Sequence, residues 1–126
     1  MMDQGRLGRV YADGEIVFFQ GEVGDCMYVV EDGTVEIVAE RDGRETVLRT
    51  AGSGELIGEM AIFEHRPRSA TVRASGVARV LTLDKRNFMR RISEDPTLAF
   101  RIIESMARRV RELSDKVVAL TGRLDE

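Results

Sequence analysis

Two small groups of residues, about ten positions apart, carry the residue types that bind a phosphate group. Gly58 and Glu59 form the first group, and Arg68 and Ser69 form the second. An arginine offers a planar fork of N–H donors that suits a phosphate better than a lysine does. Ser69 adds a hydroxyl, and Gly58 lets the backbone approach a ligand closely. Residues 54–71, which contain both groups, therefore predict an anion-binding site.

Glu59 narrows the class of ligand. A carboxylate repels a bare phosphate, but it suits a ligand that also presents a hydroxyl, as the acidic ribose contact of dinucleotide sites does. The turn that follows, up to Phe63, is a short helix candidate whose first amides can point at an anion. Pro67 fixes the backbone just before Arg68. Glu59 and Arg68 together indicate a sugar and a phosphate in one ligand.

The composition is that of one globular domain and excludes several functions. The chain has 126 residues, of which 43% are apolar and 33% charged, and its net charge of -3 disfavours nucleic acid as a partner. One cysteine, Cys26, and one histidine, His65, leave little to build a disulfide or a metal site. We expect no metal, no cofactor and no catalysis, because a phosphodiesterase usually needs a metal cluster or an activated nucleophile. No apolar run is long enough for a membrane span or a signal peptide, which predicts a cytoplasmic protein.

Short apolar runs punctuated by glycine must position these groups. Val, Ile and Thr are frequent in these runs, and this favours an antiparallel sandwich, barrel or roll. Asp42-Gly43 predicts a two-residue hairpin turn. Residues 1–9 are expected to be a loose lead-in of up to one helical turn. The predicted strands cover residues 16–19, 27–30, 34–39, 45–50, 70–74 and 78–83.

The last third of the chain has a helical pattern. Asp84 is a candidate N-cap for a helix over residues 85–92, and Asp95-Pro96 starts a helix that runs to about residue 120. Such a helix spans roughly 37 Å, more than a roll of this size can cover. We expect it to pair in parallel with a second copy; packing on its own roll and a different partner are the alternatives. Its apolar seam, which steps by three and four, is Ile103, Met106, Val110, Leu113, Val117, Leu120 and Leu124.

The sequence GEMAIF at residues 58–63, followed after a short loop by PRSAT at residues 67–71, resembles the phosphate-binding cassette of the cyclic nucleotide-binding domain family. The glycines at positions 14, 21, 24 and 33 also stand where that family has turns. The resemblance covers about residues 11–91 and implies an α+β, mainly β, fold. That fold is an eight-stranded antiparallel, jelly-roll-like β-roll with a short cassette helix and a long C-terminal dimerisation helix. One domain would then fill residues 1–126, with the roll at 10–83 and the helices at 84–126.

The resemblance also implies a role for each site residue. Glu59 would bind the ribose 2′-hydroxyl, Arg68 the exocyclic phosphate oxygens, and Ser69 the phosphate or the base. The amides of Ala61 and Ser69, beside Gly58, would complete the anion cradle. Apolar walls for the base would come from the roll. The implied ligand-binding set is Leu48, Leu56, Gly58, Glu59, Met60, Ala61, Arg68, Ser69, Ala70, Val72, Leu113 and Ser114.

The last two of these residues come from the long helix. Residues 106–109 and 114–117 are similar to the dimer helix of the catabolite-activator group, in which two adjacent hydroxyl residues contact adenine. Here the positions read Leu113 and Ser114, so Leu113 is expected to cap the base by apolar contact. The implied function is a cyclic AMP sensor, with cyclic GMP as the alternative ligand and a constitutive, ligand-free dimer scaffold as the alternative function. DNA binding is not expected, since the chain ends where related transcription factors continue into a winged helix.

Overall fold

The computed structural model describes residues 8–124, with side chains up to Arg123. The first compact unit ends at Phe88 and the second begins at Met89. Most of the predicted lead-in, residues 1–7, lies outside the described residues, and Arg9 already belongs to a strand. The elements are β1 Arg9–Tyr11, β2 Ile16–Phe18, β3 Cys26–Arg41, β4 Arg44–Ala51, β5 Leu56–Ile57, α1 Met60–Phe63, β6 Thr71–Asp84, α2 Lys85–Glu94 and α3 Pro96–Leu124.

Two long strands organise the first unit. β3 and β6 pair with each other in antiparallel fashion over most of their length. The sheet order is β1-β6-β3-β4, with β2 also on β6 and β5 also on β3. The inward side chains of these strands form one apolar core, which is consistent with the Val- and Ile-rich runs in the sequence. That core cluster is Tyr11, Phe18, Val30, Val35, Ile37, Ala51, Ile57, Ala70, Val72, Ala74, Ala78 and Val80.

The described residues form six strands, so the expectation of eight is wrong. The predicted strands at 27–30 and 34–39 are one strand, and so are those at 70–74 and 78–83. At the expected breaks the pairing of β3 with β6 continues, although it is irregular. Its register shifts on both sides of Asp32, and Gly33 takes a φ of 82°. An extra residue in a ladder bends a strand and increases its twist. Strand β5, at Leu56–Ile57, was not predicted.

The turn and cap predictions are confirmed. Asp42 and Gly43, with φ of 55° and 78°, join β3 to β4 in a two-residue turn. Asp84 accepts a hydrogen bond from the amide of Asn87 at 2.8 Å, and Asp95 accepts one from the amide of Thr97 at 3.1 Å. Local sequence therefore sets where α2 and α3 begin.

Helix α3 has 29 residues and ends four positions beyond the predicted end. Its seam is exposed at Ile103 (64%), Val110 (65%) and Val117 (61%); the side chain of Leu124 lies outside the described residues. None of the helices within residues 8–124 is apolar over a length that could cross a bilayer.

Candidate ligand-binding site

The structure brings the two groups of predicted site residues together in the first unit. Gly58 directly follows β5, and Arg68 lies three residues before β6. The carbonyl oxygen of Gly58 accepts a hydrogen bond of 3.1 Å from Nη1 of Arg68. Gly58 has a φ of 70°, in the left-handed region that favours glycine. A glycine in that conformation thus turns its carbonyl to the arginine.

The backbone of Arg68 is fixed by the loop between β2 and β3. The Arg68 amide donates to the carbonyl of Glu22 at 2.7 Å, and the Gly21 amide donates to the carbonyl of Arg68 at 2.8 Å. Pro67 and Val23 form an isolated antiparallel bridge beside them. These main-chain bonds hold the segment before β6 much as strand pairing would. They therefore fix the backbone position of Arg68, from which its side chain extends.

The guanidinium of Arg68 turns inward and is buried, with 8% of the residue exposed. Nη2 donates to the carbonyl of Cys26 at 2.9 Å and lies 3.9 Å from the Cys26 sulfur. Its Cζ atom stands 4.2 Å from the ring centroid of Phe18 and 5.6 Å from that of Tyr28. A buried cation is stable only with such partners, because it has lost its water.

These partners hold the guanidinium without cancelling its charge. The two carbonyl oxygens and the two aromatic rings are all neutral. An arginine has five N–H groups, and the bonds to Gly58 and Cys26 use two of them. The weaker contact of Nη2 with the Cys26 sulfur takes a third, so two N–H groups remain, which is enough for the two exocyclic oxygens of a cyclic phosphate. The arrangement can therefore bind an anion without giving up its own supports.

Tyr28 and Cys26 border the guanidinium on the β3 side. The Tyr28 ring stacks on Phe18, with centroids 5.3 Å apart. Burial raises the pKa of the Tyr28 hydroxyl well above its ordinary value, and a hydrogen bond with Cys26 adds to the effect. The hydroxyl thus stays neutral at physiological pH, and it brings no negative charge to the site.

Of the predicted ligand-binding residues around α1, two are buried and one is exposed. Glu59 is 5% exposed and Ala61 is 9% exposed, whereas Met60 is 55% exposed. The Ala61 amide donates to the Gly58 carbonyl at 3.2 Å and closes the first turn of α1. Glu59 thus belongs to the interior, beside Gly58, and its contact with a ribose remains a prediction.

The remaining predicted residues of the roll occupy different surroundings. Ser69 is exposed, while Ala70 and Val72 are buried members of the core cluster. Leu56 is 5% exposed on β5, whereas Leu48 is 50% exposed on β4. The base-wall roles of Leu48, Leu56 and Val72 remain predictions.

Leu113 and Ser114 lie on α3, in the second unit, and both are exposed. Leu113 is 54% exposed. Their contact with a base remains a prediction.

His65 lies outside this arrangement. It is exposed and lines an open pocket of about 330 Å³ together with Asp25, Phe63, Asp84 and Lys85. Of the predicted ligand-binding residues, Ala61 alone borders this pocket, so it is distinct from the arginine site. Among residues 8–124 the structure has no group of three His, Cys, Asp or Glu side chains that could hold a metal.

Sequence reasoning missed four residues that surround Arg68: Phe18, Gly24, Cys26 and Tyr28. They come from β2, from β3 and from the loop between them, forty or more positions from Arg68 in the chain. A Cβ atom on Gly24 would collide with the guanidinium. Phe18 and Tyr28 appeared in the sequence only as ordinary strand residues. Gly24 is the one signal in the sequence for this contact, and by itself it indicates only a turn.

The family of the chain follows from comparison with known proteins. The model of the cyclic nucleotide-binding domain matches residues 8–95, which is more than half of the chain and includes the whole arginine site. The chain belongs to the cyclic nucleotide-binding domain family. This confirms the family that the sequence of residues 58–71 indicated.

Particular members of the family resemble most of the chain. It is 31% identical over 117 residues, 92% of its length, to the cAMP-dependent protein kinase type II regulatory subunit of Drosophila melanogaster. The crystal structure of the Thermus thermophilus catabolite activator protein matches 90% of it, with a TM-score of 0.78 and 31% identity. The c-di-GMP responsive regulator CLP of Xanthomonas campestris also matches 90%, with a TM-score of 0.78 and 29% identity. The chain spans 29% of the kinase subunit, 54% of the catabolite activator and 58% of the third protein.

Proposed function

We propose that this chain is a non-enzymatic sensor domain that binds a cyclic mononucleotide, with cyclic AMP as the preferred ligand. The observation that carries the proposal is the buried guanidinium of Arg68, held by neutral partners and with N–H groups left for an anion. Glu59, buried two residues from Ala61, supplies the acceptor for a ribose hydroxyl. The kinase regulatory subunit is named for its dependence on cAMP, and its similarity to the chain supports this ligand class.

The proposal includes a route for the signal. Ligand can shift a conformational equilibrium only if it binds one state more tightly than the other. Helix α3 exposes an apolar seam, and we propose that this seam pairs with a second copy of the chain and transmits the change. The single cysteine supports a reducing compartment such as the cytoplasm.

A thermal-shift panel of cyclic mononucleotides and cyclic dinucleotides identifies the ligand, because binding stabilises the folded state by mass action. We expect the largest shift with cyclic AMP and a smaller one with cyclic GMP. A shift with a cyclic dinucleotide alone would replace the proposed ligand class; the regulator CLP is described as c-di-GMP responsive. A flat panel, with sedimentation still showing a dimer, would favour the constitutive scaffold. Conversion of cyclic AMP to 5′-AMP on incubation would contradict a non-enzymatic role.

Calorimetry on Arg68→Ala tests the phosphate contact. The variant loses a charge-assisted hydrogen bond, so its affinity for cyclic AMP should fall by at least about 1.5–3 kcal/mol. Arg66→Ala is the matched control, because Arg66 lies in the same loop with its side chain 79% exposed and pairs with Glu64 at 3.6 Å. Unchanged affinity in Arg68→Ala would refute the assignment.

The ribose contact is tested by comparing cyclic AMP with its 2′-deoxy analogue. The wild type should prefer cyclic AMP by about 1.5–3 kcal/mol, the scale of a hydrogen bond to a charged group. In Glu59→Gln this preference should shrink, because the amide is a weaker acceptor than the carboxylate. Glu64→Gln, at an exposed position after α1, should keep it. Equal binding of the two nucleotides by the wild type would rule out a role for Glu59 at the 2′-hydroxyl.

A further inference from the structure

Four residues form a compartment for the Arg68 side chain, which we call the arginine box: Phe18, Gly24, Tyr28 and Gly58. Phe18 and Tyr28 supply two stacked rings on one side of the guanidinium. Gly24 and Gly58 supply backbone so close that a Cβ atom on either one would collide with it. The guanidinium of Arg68 therefore fits into the box in a single position.

The box is needed because Arg68 starts at the surface. Its neighbours Pro67 and Ser69 are both exposed, whereas Arg68 itself is 8% exposed. An arginine has several rotatable bonds, and an extended rotamer from this backbone position would place the charge in water. Water competes well for a guanidinium, so an inward orientation needs specific partners. Carbonyl bonds to Gly58 and Cys26 hold its edge, and the Phe18 ring centroid lies 4.2 Å from its Cζ atom.

Stacking on an aromatic face suits arginine in particular. The positive guanidinium is attracted to the negative face of the ring, and the attraction is stronger where both are shielded from water. Phe18 is 8% exposed, and Tyr28 is partly buried against the core. The rings take up none of the N–H donors, which remain available for a phosphate.

We infer that Phe18 and Tyr28 are positioning residues of the ligand site, whose stacked rings hold the Arg68 guanidinium in the orientation that receives the phosphate. This inference rests on the proposed function. It assigns to two aromatic strand residues a part in ligand affinity that is separate from their part in the core. Phe18 acts through Arg68 and needs no contact of its own with the ligand.

The first test is a double-mutant cycle on cyclic AMP affinity. Phe18→Leu keeps an apolar side chain but removes the ring, and it should weaken binding roughly 3- to 30-fold. In an Arg68→Ala background the same change should have no further effect on affinity, because the ring then has no cation to hold. Phe18→Tyr keeps the ring and should recover most of the affinity. A purely structural role of Phe18 would instead give equal losses in both backgrounds, and that result would overturn the inference.

The matched control is Tyr11→Leu. Tyr11 is a second buried ring of the same core cluster, 4% exposed, and it faces the guanidinium of Arg9 with 4.7 Å between Cζ and the ring centroid. The Tyr11 ring faces Arg9 and not Arg68, although Tyr11 also helps to raise the pKa of Tyr28. Its replacement should lower the unfolding temperature as Phe18→Leu does, but leave the cyclic AMP affinity unchanged. A similar loss of affinity in Tyr11→Leu would overturn the inference, since general loosening of the core would then explain both.

The second test needs no ligand. A ring 4.2 Å from Cζ should shift the NMR signals of the Arg68 side chain upfield. In Phe18→Leu those signals should move towards the values of an exposed arginine such as Arg66. Unshifted Arg68 signals in the wild type would overturn the inference directly. If the wild type binds no cyclic nucleotide, the proposed function fails, and the ligand part of the inference fails with it. The NMR result still decides whether the rings hold the guanidinium.

Discussion

Most apolar side chains of the roll are buried, whereas most of those on the seam of helix α3 are exposed. In the roll, Met27, Val30 and Val35 are at most 1% exposed. On α3, Ile103, Val110 and Val117 are each more than 60% exposed. A unit with its own core can hold a binding site in fixed geometry, whereas a helix with an open apolar face has most of its stabilising contacts still to make. This contrast is consistent with the proposal that the roll recognises the ligand and that α3 pairs with a partner.

The largest effect is expected in the core of the roll. Met27→Ala should lower the free energy of unfolding by about 2–5 kcal/mol, because it removes buried methylene groups and leaves a cavity. Urea denaturation measures the change. Val118→Ala is the control from the other region: Val118 is 69% exposed and lies outside the predicted seam, so its change should stay within about 0.5 kcal/mol. Comparable losses in the two variants would abolish the contrast between the regions.

The next effect concerns the glycine that contacts Arg68. Gly58→Ala should lower stability by about 1–2 kcal/mol, the cost of the left-handed conformation, and should also weaken cyclic AMP binding because its Cβ would displace the guanidinium. Gly76→Ala is the matched control, since Gly76 has a similar φ of 75° but open space around its Cβ position.

Thermal unfolding and calorimetry on the two glycine variants separate strain from displacement. Both variants should lose stability, but only Gly58→Ala should lose affinity. If Gly58→Ala binds cyclic AMP as the wild type does, the close approach of Gly58 and Arg68 has no part in binding.

The smallest effect is expected for the seam of α3. Val117→Asp places a charge on the exposed apolar face and should weaken self-association about tenfold or more, or roughly 1.4 kcal/mol, without changing the unfolding of the monomer. Sedimentation equilibrium over a range of concentrations measures it, and Arg111→Asp, at an exposed position off the seam, serves as a control for added negative charge. A wild type that stays monomeric at all concentrations would contradict self-pairing and favour one of the two alternatives, packing on its own roll or a different partner.

Local chemistry was predicted well where a short segment decides its own conformation. The turn at Asp42-Gly43 and the caps at Asp84 and Asp95 all depend on neighbours within three positions, and all are present. The number of strands was not predicted, because Gly33 and Gly76 can end a strand or bend one. Pairing between β3 and β6 keeps each strand continuous through its glycine, and the local sequence does not predict that pairing.

Part of the candidate site could likewise be predicted from the local sequence, and part of it could not. Glu59 and Arg68 could be selected by type and spacing, since an arginine, an acid and a glycine in one short segment already suit a sugar phosphate. Phe18 and Tyr28 could not be selected, because a phenylalanine in a strand is far more often a core residue than a support for a cation. Their contact with Arg68 exists only after β2 and β3 have both paired with β6.

The sequence by itself indicated the family, the helix starts and the apolar seam of α3, because each depends on residue types at short, regular spacing. The tertiary structure decided how Arg68 is held. Its guanidinium is turned from an exposed loop into the roll by carbonyls of Gly58 and Cys26 and by the rings of Phe18 and Tyr28. Those partners lie far apart in the chain, and a buried cation is stable only where the fold assembles all of them around it.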